Sequence, residues 1–161
     1  MTINDLNDSN NRFVFIKTMN EIIFTEKLGE SKTHTTIFNP ILVRTCDDDN
    51  SSDSFYGTVW FPFTESKVHN IPKSIIIASD KLTDKYAKFY GSVIMQSELS
   101  DIQEAGRERI RAGESEYLVI PESFQQMKNV GAALATRFSI DCPDFSDMEK
   151  QYKETAMKNL H

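Results

Sequence analysis

From Arg12 onward the first half of the chain alternates short β-branched or aromatic runs with polar breaks. Arg12-Phe13-Val14-Phe15-Ile16-Lys17 and Glu21-Ile22-Ile23-Phe24-Thr25-Glu26 flank Thr18-Met19-Asn20. Asn20 suits the left-handed backbone of a tight turn, so the pair predicts a β-hairpin. A third strand is expected over 35–44, interrupted by Pro40, which removes one ladder donor and so predicts a bulge or an edge. Residues 46–54 carry no apolar side chain other than Cys46 and predict an exposed loop. A fourth strand is expected over 56–63 and a fifth, nearly all apolar, over 71–78, with the polar turn 64–70 between them. Five short strands without an intervening helix predict a small antiparallel barrel, because a sheet this short removes its edges only by curling or by pairing with a neighbour. Pro40, Gly57 and Pro62 are the expected kinks.

At Thr83 the period changes. Tyr86, Phe89, Tyr90, Val93, Ile94 and Ser97 recur at three- and four-residue spacing, with Thr83 as N-cap and Asp84 in the first turn, which predicts an amphipathic helix packed on the barrel. A second helix is expected over 101–112, after Ser100 and ending at Gly113. Tyr117-Leu118-Val119-Ile120 reads as a short strand, with Pro121 in the first turn of the helix that follows. That helix carries a seam of Phe124, Met127, Gly131, Leu134 and Phe138, suited to pack on the barrel or against the same helix of another subunit. Ser146-Asp147-Met148-Glu149 reads as a capping box opening a last helix to about Asn159. Residues 1–11, polar and rich in Asn and Asp, are expected to be a flexible lead-in. The expected fold is thus mainly β plus α. A five-stranded, strongly bent antiparallel barrel with its flanking helix covers 12–96, and an α-rich extension covers 97–161.

Composition narrows the function classes. The 161 residues are 39% hydrophobic and 11% aromatic, ordinary for a globular chain. No run approaches a membrane span, and the N-terminus lacks the layout of a secretion signal, so a cytoplasmic protein without membrane association is expected. Twenty-four acids against 18 Lys and Arg give a formal charge of −6. That balance disfavours non-specific duplex binding, which rests on many neutralised phosphates. The charge is uneven: residues 56–96 hold three acids and five bases, and such a surface suits a short single strand.

No local motif carries chemistry. His34 and His69 lie in polar turns and His161 is terminal, so no zinc-ligand spacing exists. Counting Asp47 as the first position of a calcium loop puts Ser52 where glycine belongs and Thr58 where a closing glutamate belongs. Cys46 has no base assigned to activate it, and Cys46 and Cys142 imply no disulfide framework. The six glycines form no phosphate loop. Neither an enzyme nor a cofactor is expected.

The order Thr18-Met19-Asn20-Glu21-Ile22-Ile23, Phe38-Asn39-Pro40-Ile41-Leu42-Val43, Trp60-Phe61-Pro62-Phe63, Ile71-Pro72-Lys73-Ser74 and an aromatic helix from Lys85 resembles the Sm-like proteins of large tailed bacteriophages, over roughly residues 12–95. The resemblance implies an Sm-like or SH3-like barrel that assembles into a homo-oligomeric ring, each subunit extending its sheet into the next through its last two strands. In the wider Sm and Hfq families such rings bind single-stranded, often uridine-rich RNA. Carried over by position, Asn39 falls near a base contact and Lys73 near a phosphate contact, the alternatives being a bulge cap and a solvated turn residue. The acidic partner expected before the asparagine is replaced by Thr35 or Thr36, and neither the Arg-Gly pair of Sm proteins nor the Tyr-Lys-His run of Hfq is present. The expectation is a non-catalytic oligomeric module binding single-stranded RNA or a ribonucleoprotein. The alternative is a phage-encoded interaction or assembly module that engages a host or phage protein through residues 97–161, without nucleic acid.

Overall fold

The computed structural model describes residues 12–45, 55–60 and 64–158. The expectations for the lead-in 1–11, the loop 46–54 and the kink at Pro62 lie outside the described residues. The chain divides into two compact units, residues 1–93 and 94–161, the boundary falling inside one helix. Among the described residues no helix is long and apolar enough to cross a membrane.

The first unit is an antiparallel sheet. Its strands are β1 (Phe13–Lys17), β2 (Ile22–Glu30), β3 (His34–Thr45), β4 (Phe55–Val59), β5 (Val68–Pro72) and β6 (Ala78–Lys81). The path runs β4-β3-β2-β1-β6, and β5 pairs with β3. Residues 41–45 of β3 pair with β4 and residues 34–38 with β5, so two strands share one partner end to end. The expected five-stranded barrel is therefore a six-stranded sheet, and among the described residues no ladder closes it. The expected fifth strand splits: Lys73–Ile75 form a 3-10 turn between β5 and β6. The physical reason is visible in burial. Ile71 is buried and Ile76 packs on the core, whereas Ile75 and Ile77 are 47% and 61% exposed. A run that reads as a buried strand instead turns a corner and places every side chain differently.

The exchange of partners along β3 is built on Asn39-Pro40. Phe24 faces Ile41 and Glu26 faces Phe38, so Thr25 stands opposite two residues and the strand bulges, as Pro40 predicted. Asn39 takes φ 51°, the left-handed region that asparagine tolerates better than most residues. Each backbone group released from the ladder finds a new partner. Asn39 N–H donates to the Lys67 carbonyl at 2.9 Å, and the Pro40 carbonyl accepts from Trp60 N–H at 3.1 Å. Thr25 Oγ1 donates to the Phe38 carbonyl at 2.9 Å, and the Tyr90 hydroxyl to the Asn39 carbonyl at 2.8 Å. A buried backbone group left unpaired costs about as much as a lost hydrogen bond, so these four bonds are what permit the bulge.

Both faces of the sheet are covered. Val14, Ile16, Ile23, Ile37 and Ile71 form one buried cluster, with Trp60 and Ile76 packed against it. Phe13 and Phe24 meet the aromatic stripe of α1 (Asp84–Arg111): Phe13 contacts Tyr90, and Phe24 meets Tyr86 and Phe89 edge-on. Gly57 lies where β4 passes under that helix. A Cβ there would stand 2.9 Å from Ile41 Cδ1 and 3.1 Å from Val93 Cγ2. Overpacking of a filled core costs about 1–3 kcal/mol. Gly57→Ala is therefore expected to lower the stability of this unit by that amount, read from chemical denaturation.

The second unit is helical. The expected helices 83–97 and 101–112 are one, since Ser97 to Ser100 contain neither glycine nor proline and a serine costs a helix only a few tenths of a kcal/mol. It stops where expected: Gly113 adopts φ 102°, with its N–H on the Ile110 carbonyl and that of Glu114 on the Arg109 carbonyl. The expected strand 117–120 is instead the opening of α2 (Glu116–Phe138), which places Pro121 inside the helix. Pro121 leaves the Tyr117 carbonyl without its usual donor, at a position open to water. The seam packs within its own unit. Phe124 and Met127 join Phe145, with Leu99, Ile102, Ile120 and Met148 around them. In α3 (Ser146–Lys158) the first N–H is capped by the Asp144 carboxylate, which accepts from Ser146 N–H at 2.9 Å and from its hydroxyl at 2.7 Å.

Candidate nucleic-acid interface

Lys73 opens the 3-10 turn directly after β5. The β3–β5 ladder begins at His34 facing Pro72, so that turn lies beside the reversal joining β2 to β3. The reversal is held by short local bonds. Ser31 N–H donates to the His34 carbonyl at 2.8 Å, and Ser31 Oγ accepts from the N–H groups of Thr33 at 3.3 Å and His34 at 3.0 Å. Lys73 N–H donates to the Thr33 carbonyl at 2.8 Å, which ties the two turns together. His34 Nδ1 and Thr33 Oγ1 are 2.8 Å apart on the exposed side.

The side chains at this junction are charged. Lys73 Nζ lies 3.1 Å from Glu30 Oε2, and Lys27 Nζ lies 3.4 Å from Glu30 Oε1. The Lys73 ammonium, and then that of Lys27, hold the Glu30 carboxyl below the usual carboxylate range. Lys32 projects from the same reversal and is exposed. The junction thus offers two lysines on one carboxylate, with Lys32 exposed in the adjoining reversal, on backbone fixed by two ladders.

Asn39 occupies a different place. It is half-buried in the middle of β3, at the bulge, and both of its backbone polar groups are used there. Five residues separate it from His34, about 17 Å along a strand. Asn39 and Lys73 therefore stand at opposite ends of the β3–β5 ladder and do not form one subsite. Lys27 and Glu30 are the residues that accompany Lys73, with Lys32 in the adjoining reversal, and none of the three was singled out in the sequence. Their available signal was the continuation of β2 through Glu30, which puts a lysine and a glutamate at its end.

Charge separates by unit. Residues 12–45, 55–60 and 64–93 hold ten Lys and Arg against six Asp and Glu, whereas residues 94–158 hold twelve acids against eight bases. Six further acids, Asp5, Asp8, Asp47, Asp48, Asp49 and Asp53, fall outside the described residues. The acidity of the whole chain is not a property of the described sheet. The chain matches no protein-family model and no curated protein.

Proposed function

We propose that the sheet unit is an open Sm-like sheet that assembles edge to edge into a homo-oligomeric ring and binds single-stranded RNA, without catalysis or cofactor. The observation that carries this reading is the strand path. After the 3-10 turn, β6 returns to pair with β1, leaving β4 with β5 along one edge and β6 along the other. Unpaired edges are templates for a further strand, and one edge meeting the other gives a head-to-tail contact that closes into a ring. The net positive charge of the described sheet unit and the lysines at the junction favour a phosphate backbone as ligand. In this reading Lys73 contacts phosphate, and Asn39, far along β3, meets a different nucleotide.

The test is a fluorescence anisotropy titration with short uridine-rich and adenosine-rich oligonucleotides at two salt concentrations. Binding at micromolar protein is expected, with Lys73→Ala weakening it several-fold and flattening the salt dependence by about 0.7 in logarithmic slope. Absence of binding, or indifference to Lys73→Ala, rejects the RNA reading. In that event the second reading stands, a protein-interaction module acting on a host or phage protein. It is favoured by Tyr117 and Leu118, adjacent on α2 and 63% and 66% exposed.

A further inference from the structure

Glu30 is an anion held between two ammonium groups. Its two carboxylate oxygens each receive one lysine, Lys27 at 3.4 Å and Lys73 at 3.1 Å, and it is the last residue of β2 with its side chain half exposed. Two ammonium groups carried by different strands and turns therefore converge on a single anion. A phosphate presents the same chemistry to them, since two unesterified oxygens of a phosphodiester accept charge-assisted hydrogen bonds as carboxylate oxygens do. Lysine binds either as a compact point charge without demanding a planar partner.

We propose that Glu30 is a built-in competitor for single-stranded RNA: its carboxylate fills the anion position between Lys27 and Lys73, and a phosphate of the bound strand displaces it. The inference rests on the RNA-binding reading and specifies how that site is regulated. Displacement is feasible because the pair is open to water, and exposed ion pairs are weak and screened by salt. Glu30 can swing into solvent from its strand end without disturbing the backbone, since the bonds that fix the junction run through Ser31, Thr33, His34 and Lys73 N–H. While it remains, it neutralises the lysines on which binding depends. RNA affinity is thereby set lower than the lysine count implies and is made less sensitive to salt.

Glu30→Gln keeps the shape of the side chain and removes its charge. Measured by anisotropy with a fluorescein-labelled oligouridine at low salt, this variant is expected to bind about three- to tenfold tighter than the parent protein, with the advantage vanishing at high salt. Its salt slope should steepen, because salt no longer weakens a competing ion pair while it weakens the contact with RNA. Glu65→Gln is the control, removing the same charge from an exposed position elsewhere in the unit. A gain for Glu30→Gln that exceeds the control supports competition. Equal gains would show only a change in net charge and overturn the inference. Binding by the parent protein with no gain in Glu30→Gln overturns the inference and leaves the RNA reading intact. No binding by any of the three proteins removes both.

Discussion

Tyr90→Ala is expected to lower the unfolding free energy of the sheet unit by about 3–5 kcal/mol, the cost of deleting a large buried ring and leaving its cavity. Tyr90 is 1% exposed and is the largest of the fully buried side chains among the described residues. Its ring packs on Phe13, and its hydroxyl donates to the Asn39 carbonyl. The substitution therefore removes core volume and also withdraws the donor that stabilises the bulge. Domains of this size are stable by only about 5–15 kcal/mol, so the loss is a large share of the total. Tyr90→Phe separates the two contributions. It keeps the ring and strands only the carbonyl, at about 1–2 kcal/mol for a half-buried acceptor deprived of its partner. Trp60 is the sole tryptophan and packs against the sheet core, so denaturation followed by its fluorescence reports on this unit. If both variants match the parent protein, the packing of α1 on the sheet described above is wrong.

The same region shows what the chain makes readable. The hairpin of β1 and β2, the bulge at Asn39-Pro40 and the N-terminal half of α1 all follow from local rules. These are alternation, a proline that cannot donate and an aromatic stripe at helical spacing; the left-handed backbone expected at Asn20 in the hairpin turn is instead found at Asn39 in the bulge. The misreadings share a cause. Ile75-Ile76-Ile77 and Tyr117-Leu118-Val119-Ile120 are short apolar runs, and such runs carry no period that separates strand from helix or turn. In the first, Pro72 and the return to β1 break the run into a 3-10 corner. In the second, tertiary contacts of Val119 and Ile120 draw the segment into α2 despite Pro121. The division at Ser97 to Ser100 gave weight to a residue that merely lowers helix propensity.

Lys73 was singled out only through the family resemblance, since the residue pattern placed it inside a fifth strand over 71–78 where the structure has a 3-10 turn. Its partner was not singled out. Thr33 and Lys73 meet only because β3 passes from β5 to β4 at the bulge, a pairing between segments far apart in the chain that no local pattern records. Asn39 shows the converse. Its left-handed geometry has a complete structural account in the bulge, so a residue conspicuous in sequence sits away from the charged junction.

For the proposed ring, placing charge on the free edges is expected to abolish assembly. The exposed side of the path carries Tyr56 and Val59 on β4 and Val68 on β5, all large and open to water, while every residue of β6 is exposed. Apolar side chains of this kind beside unpaired backbone favour the addition of a strand, and lysine is the residue that natural edges use to prevent it. In a closed ring each contact is made once per subunit, so a substitution that weakens one contact weakens all of them. Removing a buried valine forfeits about 1.5–3 kcal/mol per interface before the charge is counted. Val59→Lys with Val68→Lys should therefore convert the proposed ring into the 18.4 kDa monomer, read by light scattering. Both positions are exposed in the single chain, so circular dichroism and the thermal transition should show an intact fold. An assembly that survives the double substitution, or a parent protein that is already monomeric at micromolar concentration, rejects edge-to-edge joining. With it falls the ring, because the described sheet leaves no other row of unpaired strand groups from which to build one.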